Sequence, residues 1–186
     1  MTDHRIILFR GMNTGGVRAP VVEQRAMAAE MGLKNPRTLA ASGNLIVESD
    51  RVQAELETLV EAAMQATFGL KIAAMARTPE QWADLIAANP FKAEAETAPS
   101  KLLVMVMKDG VKADGLAGLR AFATENEKVE AVTVGGGDVL YFHHPEGLGQ
   151  SKMAEKALPR LIGMGTGRDW NTVLKLAEMV GLETKA

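Results

Sequence analysis

Glycine, threonine and arginine crowd into Gly163-Met164-Gly165-Thr166-Gly167-Arg168, just before Asp169-Trp170-Asn171. Free backbone amides at a helix start, beside the two-pronged guanidinium of Arg168, are groups that bind an anion. The segment is not the dinucleotide fingerprint. Arg168 stands where the third glycine belongs, and a helical pattern precedes it in place of a long strand. The other reading is a turn whose Arg168 pairs with a carboxylate such as Asp169. Ser151-Lys152 points the same two ways. Ser151 suits a helix cap, and Lys152 in the first turn is disfavoured by the helix dipole, a cost that a bound anion would offset. A solvated lysine is the alternative. Gly149-Gln150-Ser151-Lys152-Met153 lacks the second glycine of a nucleophile elbow.

A second group lies near the N-terminus. Arg10-Gly11-Met12-Asn13-Thr14-Gly15-Gly16 follows a short apolar run, in the position where α/β proteins place ligand loops. Gly15 and Gly16 would let a ligand approach the backbone, with Arg10 and Asn13 as polar contacts. Alternatively these residues serve turn geometry and Arg10 meets an acid. Ser42-Gly43-Asn44 is a tight turn that joins this group only if it lies beside the loop. The histidines are His4, His143 and His144. Neighbours on a strand point to opposite faces, so the His143-His144 pair reads as surface or rim residues and not as metal ligands. No metal site and no cofactor is expected. With no cysteine, disulfides, thiolate catalysis and cysteine-held metals are excluded.

Periodicity supplies the elements that must position these groups. Ile6–Phe9 is a buried strand, and Pro20 opens a helix that stops near Gly32. Arg37–Ala41 and Leu45–Glu48 form a hairpin, and Asp50 caps the next helix, which ends at Gly69. Lys71–Arg77 is a strand, and Thr78-Pro79-Glu80-Gln81 is a capping box opening a helix that stops before Asn89-Pro90. After a polar stretch the same order repeats. Leu102–Met107 is a strand, Ala113–Ala123 a helix, and Val129–Val134 with Val139–His143 a hairpin. Ser151 opens a helix that Pro159 breaks or kinks, Gly163–Asp169 is a short strand or extended loop, and a last helix from Trp170 ends at Gly181.

The expected fold class is therefore α+β: two ferredoxin-like (α/β plait) domains, each β-α-β-β-α-β with an additional C-terminal helix. Domains are expected at 1–92 and 101–186, with 93–100 as linker. IILF and LLVMVM are apolar on both pleat faces, and a plait covers only one face with its own helices, so close packing of the two is expected. The 186 residues have 47% hydrophobic and 24% charged side chains and a net charge of -2. Such a chain is globular and has no basic field to attract nucleic acid. The initial apolar run is too short for a signal peptide, and no run nears the roughly 20 residues of a membrane span. A cytoplasmic protein without membrane contact is expected.

The chain resembles the bacterial proteins grouped as domain of unknown function 1697. The matching pieces are RGMNTGG at Arg10–Gly16, GLKNPRT, SGNLIV at Ser42–Val47, NPF at Asn89–Phe91, Ser151-Lys152, and TGRDWNTVLKL at Thr166–Leu176. The resemblance implies a pair of plait domains and no known activity. Gln150 and Asp169 stand where that family commonly has arginine and asparagine. From the residues themselves, the expected function is binding of a small anionic or phosphate-bearing ligand, a nucleotide or a nucleic-acid phosphate, in a cleft between the domains. Arg10, Asn13, Gly15, Gly16, Ser42 and Asn44 would come from one domain, and Ser151, Lys152, Arg168, Trp170 and Asn171 from the other. The alternatives are a metal-independent enzyme acting on a phosphoester or acyl group, marked by a cleft-buried acid or histidine beside Ser151, and a structural or regulatory interaction module. Against nucleic acid stand the few strand aromatics and the acidic helix around Glu55, Glu57 and Glu61. A basic edge from Lys152, Lys156, Arg160, Arg168 and Lys175 stands for it.

Overall fold

A computed structural model describes residues 3–12, 18–40 and 43–183. The chain divides into two compact units. The first runs to Trp82 and takes in Glu178–Leu182, and the second spans Ala83–Ala177.

In the first unit β1 (Asp3–Phe9) is central, flanked by β3 (Asn44–Ser49) and β4 (Ala74–Arg77), with β2 (Lys34–Thr38) outside β3. All pairings are antiparallel. Successive strand residues alternate faces, so Ile7 and Phe9 join Leu45, Val47, Ala74 and Ala76 on one side. Met27 and Ala28 of α1 (Val21–Glu30) and Leu56, Val60 and Met64 of α2 (Gln53–Phe68) complete that core.

Several local expectations change here. Pro20 is the N-cap of α1, one residue ahead of its predicted place. β2 begins three residues early, with an irregular register between Lys34 and Arg37 and a left-handed Asn35 at φ 48°. Asp50 does not cap α2. Val52 occupies the cap without a side-chain bond. Gly69 does end α2 in the left-handed conformation, at φ 68°.

The capping box at α3 (Pro79–Ala87) is present in both directions. Thr78 Oγ1 accepts from Gln81 N at 3.1 Å, and Gln81 Oε1 accepts from Thr78 N at 2.9 Å. Thr78→Ala is expected to lower stability by about 1 kcal/mol in urea unfolding. An unchanged midpoint and slope would show that the box contributes nothing.

The stretch read as linker is helical. Lys92–Thr97 forms α4, and Pro99–Lys101 a 3-10 turn. In the second unit β5 (Leu102–Met107) is central between β7 (Gly137–His143) and β8 (Gly165–Asp169), with β6 (Lys128–Val134) outside β7. The two sheets share one strand order, so the repeat seen in element order extends to topology. α5 (Gly115–Arg120), α6 (Lys152–Lys156) and α7 (Pro159–Ile162) place Leu119, Met153 and Ile162 against Met105, Met107, Leu140 and Phe142. Pro159 separates α6 from α7, as the missing amide requires. The β6–β7 turn is tighter than expected, since Gly137 and Asp138 already pair as strand. Tyr141 Oη donates to Leu85 O at 2.6 Å, and burial pushes this phenol above its ordinary range. α8 (Trp170–Met179) is the last helix. Its terminal carbonyl, Met179 O, accepts from Arg37 Nη2 at 2.8 Å.

Candidate functional site

In the first unit the two signature segments meet. Phe9 N donates to Gly43 O at 2.9 Å, and a Cβ on Gly43 would lie 2.8 Å from Met12 Cβ. Gly43 therefore lies against Phe9 and Met12 at the end of β1. Asn44 is buried and its Nδ2 donates to Leu39 O at 2.9 Å, so its amide pins the hairpin. The backbone of Arg10 is fixed through its N–H to Ala73 O at 3.0 Å. Asn13, Gly15, Gly16 and Ser42 lie outside the described residues.

In the second unit Ser151 caps α6, its Oγ accepting from Ala154 N at 3.0 Å. Lys152 is exposed, and α6 has only five residues. The glycine-rich segment is mostly β8. A Cβ on Gly165 would lie 2.6 Å from Met107 Sδ and 2.9 Å from Val106 O, and one on Gly167 would lie 3.0 Å from Leu103 Cδ2. These glycines admit the neighbouring strand β5, which accounts for them without any phosphate. Asp169 Oδ1 accepts from Thr172 N at 2.9 Å and so occupies the start of α8 itself. Trp170 is buried at that start and Asn171 is exposed.

Arg168 is the exception among these residues. It is 8% exposed, and its Nη1 donates to Thr166 Oγ1 at 2.7 Å and to Gly167 O at 2.8 Å. Burial draws its guanidinium down to about 10.

One cluster escaped the sequence reading. His144, expected at the surface, is 1% exposed. Its Nδ1 lies 3.0 Å from Glu127 Oε2, with the two side chains 2% and 4% exposed. Glu127 also receives hydrogen bonds from Ser151 and, at 3.1 Å, from Thr124 N. Burial pushes this carboxyl up, but the bonds from Ser151, His144 and Thr124 outweigh it and hold the carboxyl below its ordinary range. A buried acid thus sits beside Ser151. The order is wrong for nucleophilic catalysis, because the carboxylate stands between serine and histidine where the imidazole should be. Glu127 and His144 flank the β6–β7 hairpin, whose register pairs Lys128 with His143, and Ser151 precedes α6. His143 points elsewhere. Burial lowers its pKa, helped by Lys128 and His144 and opposed by Glu94.

Among the described residues no three His, Asp or Glu side chains are placed to hold a metal ion. None of the described helices is long and apolar enough to cross a membrane.

Strand order, burial and site chemistry together define an α+β protein built on two four-stranded antiparallel sheets, with no recognisable catalytic constellation among the described residues. The family described as "Protein of unknown function (DUF1697)" matches residues 1–139, and the chain belongs to that family. Among solved structures, the conserved bacterial protein SP0830 from Streptococcus pneumoniae is similar. It is 17% identical, with 97% of this chain and 99% of that chain covered and a TM-score of 0.75, a likeness of fold. A putative chlorite dismutase, TA0507, aligns at 10% identity over 97% of this chain and 100% of that one, with a TM-score of 0.30. No curated protein matches.

Proposed function

We propose that the protein binds a small anionic, phosphate-bearing ligand, with Arg168 as its principal anchor. The observation that carries this reading is the buried guanidinium. Keeping a cation out of water is costly. The hydroxyl of Thr166 and the carbonyl of Gly167 fix the direction of the fork. Asp169, the carboxylate nearest in sequence, is used as a helix cap. A ligand phosphate would accept two parallel bonds from such a fork. Two ferredoxin-like plaits form the scaffold in this reading, supported by the strand order shared by both sheets. In this reading the protein is cytoplasmic.

The test is thermal unfolding with inorganic phosphate, a mononucleotide and a short oligonucleotide, for the wild type and Arg168→Lys. At ten times its dissociation constant a ligand adds about 1.4 kcal/mol, a rise of roughly 3–5 °C for a chain of this size. Lysine keeps the charge but not the fork, so at least half of that rise is expected to disappear. No rise with any of the three, or the same rise in both proteins, would remove Arg168 as the anchor.

A further inference from the structure

We propose that the first unit holds an oxyanion site of its own, in the cavity bordered by Arg5, Arg51 and Arg77 where α2 and α3 begin, and that its ligand is a phosphate group. This site shares no residue with the reading built on Arg168. The cavity encloses about 220 Å³ and is lined by the three arginines together with Gln53, Thr78 and Gln81. Among the described residues no carboxylate lines it. The arginines come from β1, from the residues ahead of α2, and from β4, so three separate chain segments deliver positive charge to one small space.

Two of these arginines are buried, Arg5 at 8% and Arg77 at 2% exposure. Arg5 donates to Arg51 O from Nε and Nη2, at 3.4 and 3.3 Å, and to His4 O from Nη1 at 3.1 Å. Carbonyl oxygens orient a guanidinium but leave its charge in place. Asp3 lies 4.0 Å from Arg5 with its side chain 57% exposed, where solvent screens it. Arg77 Nη1 donates to Ala76 O at 2.8 Å. Glu57 Oε2 lies 3.6 Å from it and already accepts Ala76 N–H at 2.9 Å. Burial lowers the pKa of Arg77 and Glu57 opposes that shift. Arg51 meets Glu55 at 2.7 Å on the exposed side. α2 adds an N-terminus whose cap residue, Val52, makes no side-chain bond. A phosphate would bring the negative charge that the cavity wall lacks, and it accepts several N–H groups at once.

Backbone and arginine Nε amide spectra of the isotope-labelled full chain, titrated with inorganic phosphate at fixed ionic strength, test this. The expected result is saturable shifts at Gln53, Thr78, Gln81 and the three arginines. Arg51 is partly exposed, so Arg51→Gln should fold normally, and it is expected to weaken these shifts roughly tenfold. Arg168→Lys should leave them unchanged, which separates this site from the other reading. Adenosine monophosphate in a parallel titration separates the sources. Tighter binding than inorganic phosphate assigns an organic carrier, and equal or weaker binding assigns the free ion. Shifts confined to residues 166–171, no saturable shift, or equal affinity in Arg51→Gln would overturn the proposal.

Discussion

Gly43→Ala is expected to destabilise the protein by about 3 kcal/mol, lowering the melting temperature by roughly 10 °C. Two costs add at this position. Gly43 adopts φ +87°, where an L side chain is strained by about 1 kcal/mol or more. A Cβ there would also lie 2.8 Å from Met12 Cβ and 2.9 Å from Phe9 O. Phe9 cannot retreat easily, because its own N–H is bonded to Gly43 O and its ring belongs to the core. Gly11→Ala is the control. Gly11 sits at φ +74°, and a Cβ there would meet nothing within 4 Å among the described residues, so the backbone cost dominates, about 1 kcal/mol. Urea unfolding of the two variants side by side is decisive. Equal losses would mean that the contact between the two signature segments contributes nothing.

The second large effect lies in the other sheet. Glu127→Ala strips the acceptor from His144 Nδ1 and Ser151 Oγ, both buried, and from the exposed Thr124 N. Losing one partner of a buried, hydrogen-bonded pair costs about 3 kcal/mol, because the remaining polar groups stay desolvated. Glu127→Gln separates charge from shape, since its carbonyl oxygen still accepts a bond. The pH dependence has a definite sign. The folded carboxyl lies below its ordinary range, so the unfolded chain binds the proton first as acid is added. The contribution of Glu127 is thus complete above the unfolded value of about 4.3 and is lost as pH falls through the lower folded value. Wild-type stability should fall in that window, and more steeply than that of Glu127→Gln. Parallel stability curves for the two proteins between about pH 5 and 2 would refute the assignment.

Regular elements were legible where local pattern and tertiary role agree. β1 and β5 announce themselves as short apolar runs, and the Thr78–Gln81 box needs only four residues to be recognised. β2 was misplaced because Asn35 takes a left-handed backbone conformation and Pro36 removes a donor, both of which look like a turn and not a strand. The polarity of Lys92–Thr97 marks it as a connecting stretch, and its lysine, alanine and glutamate, strong helix formers, account for the helix it forms. The candidate site was less legible. A glycine that makes room for a neighbouring strand and one that makes room for a phosphate are the same letter, and only the contacts of Gly165 and Gly167 tell them apart. The Glu127–His144–Ser151 cluster has no motif of its own: the β6–β7 register brings Glu127 opposite His144, and the chain entering α6 adds Ser151.

The bond from Arg37 to Met179 O has a consequence for biosynthesis. Residues 178–182 belong to the first compact unit, although the whole of Ala83–Ala177 separates them from it along the chain. The nascent N-terminal unit can pair its strands early, but its full set of contacts closes only after the second unit has been synthesised. Order of synthesis and order of completion therefore differ between the two units.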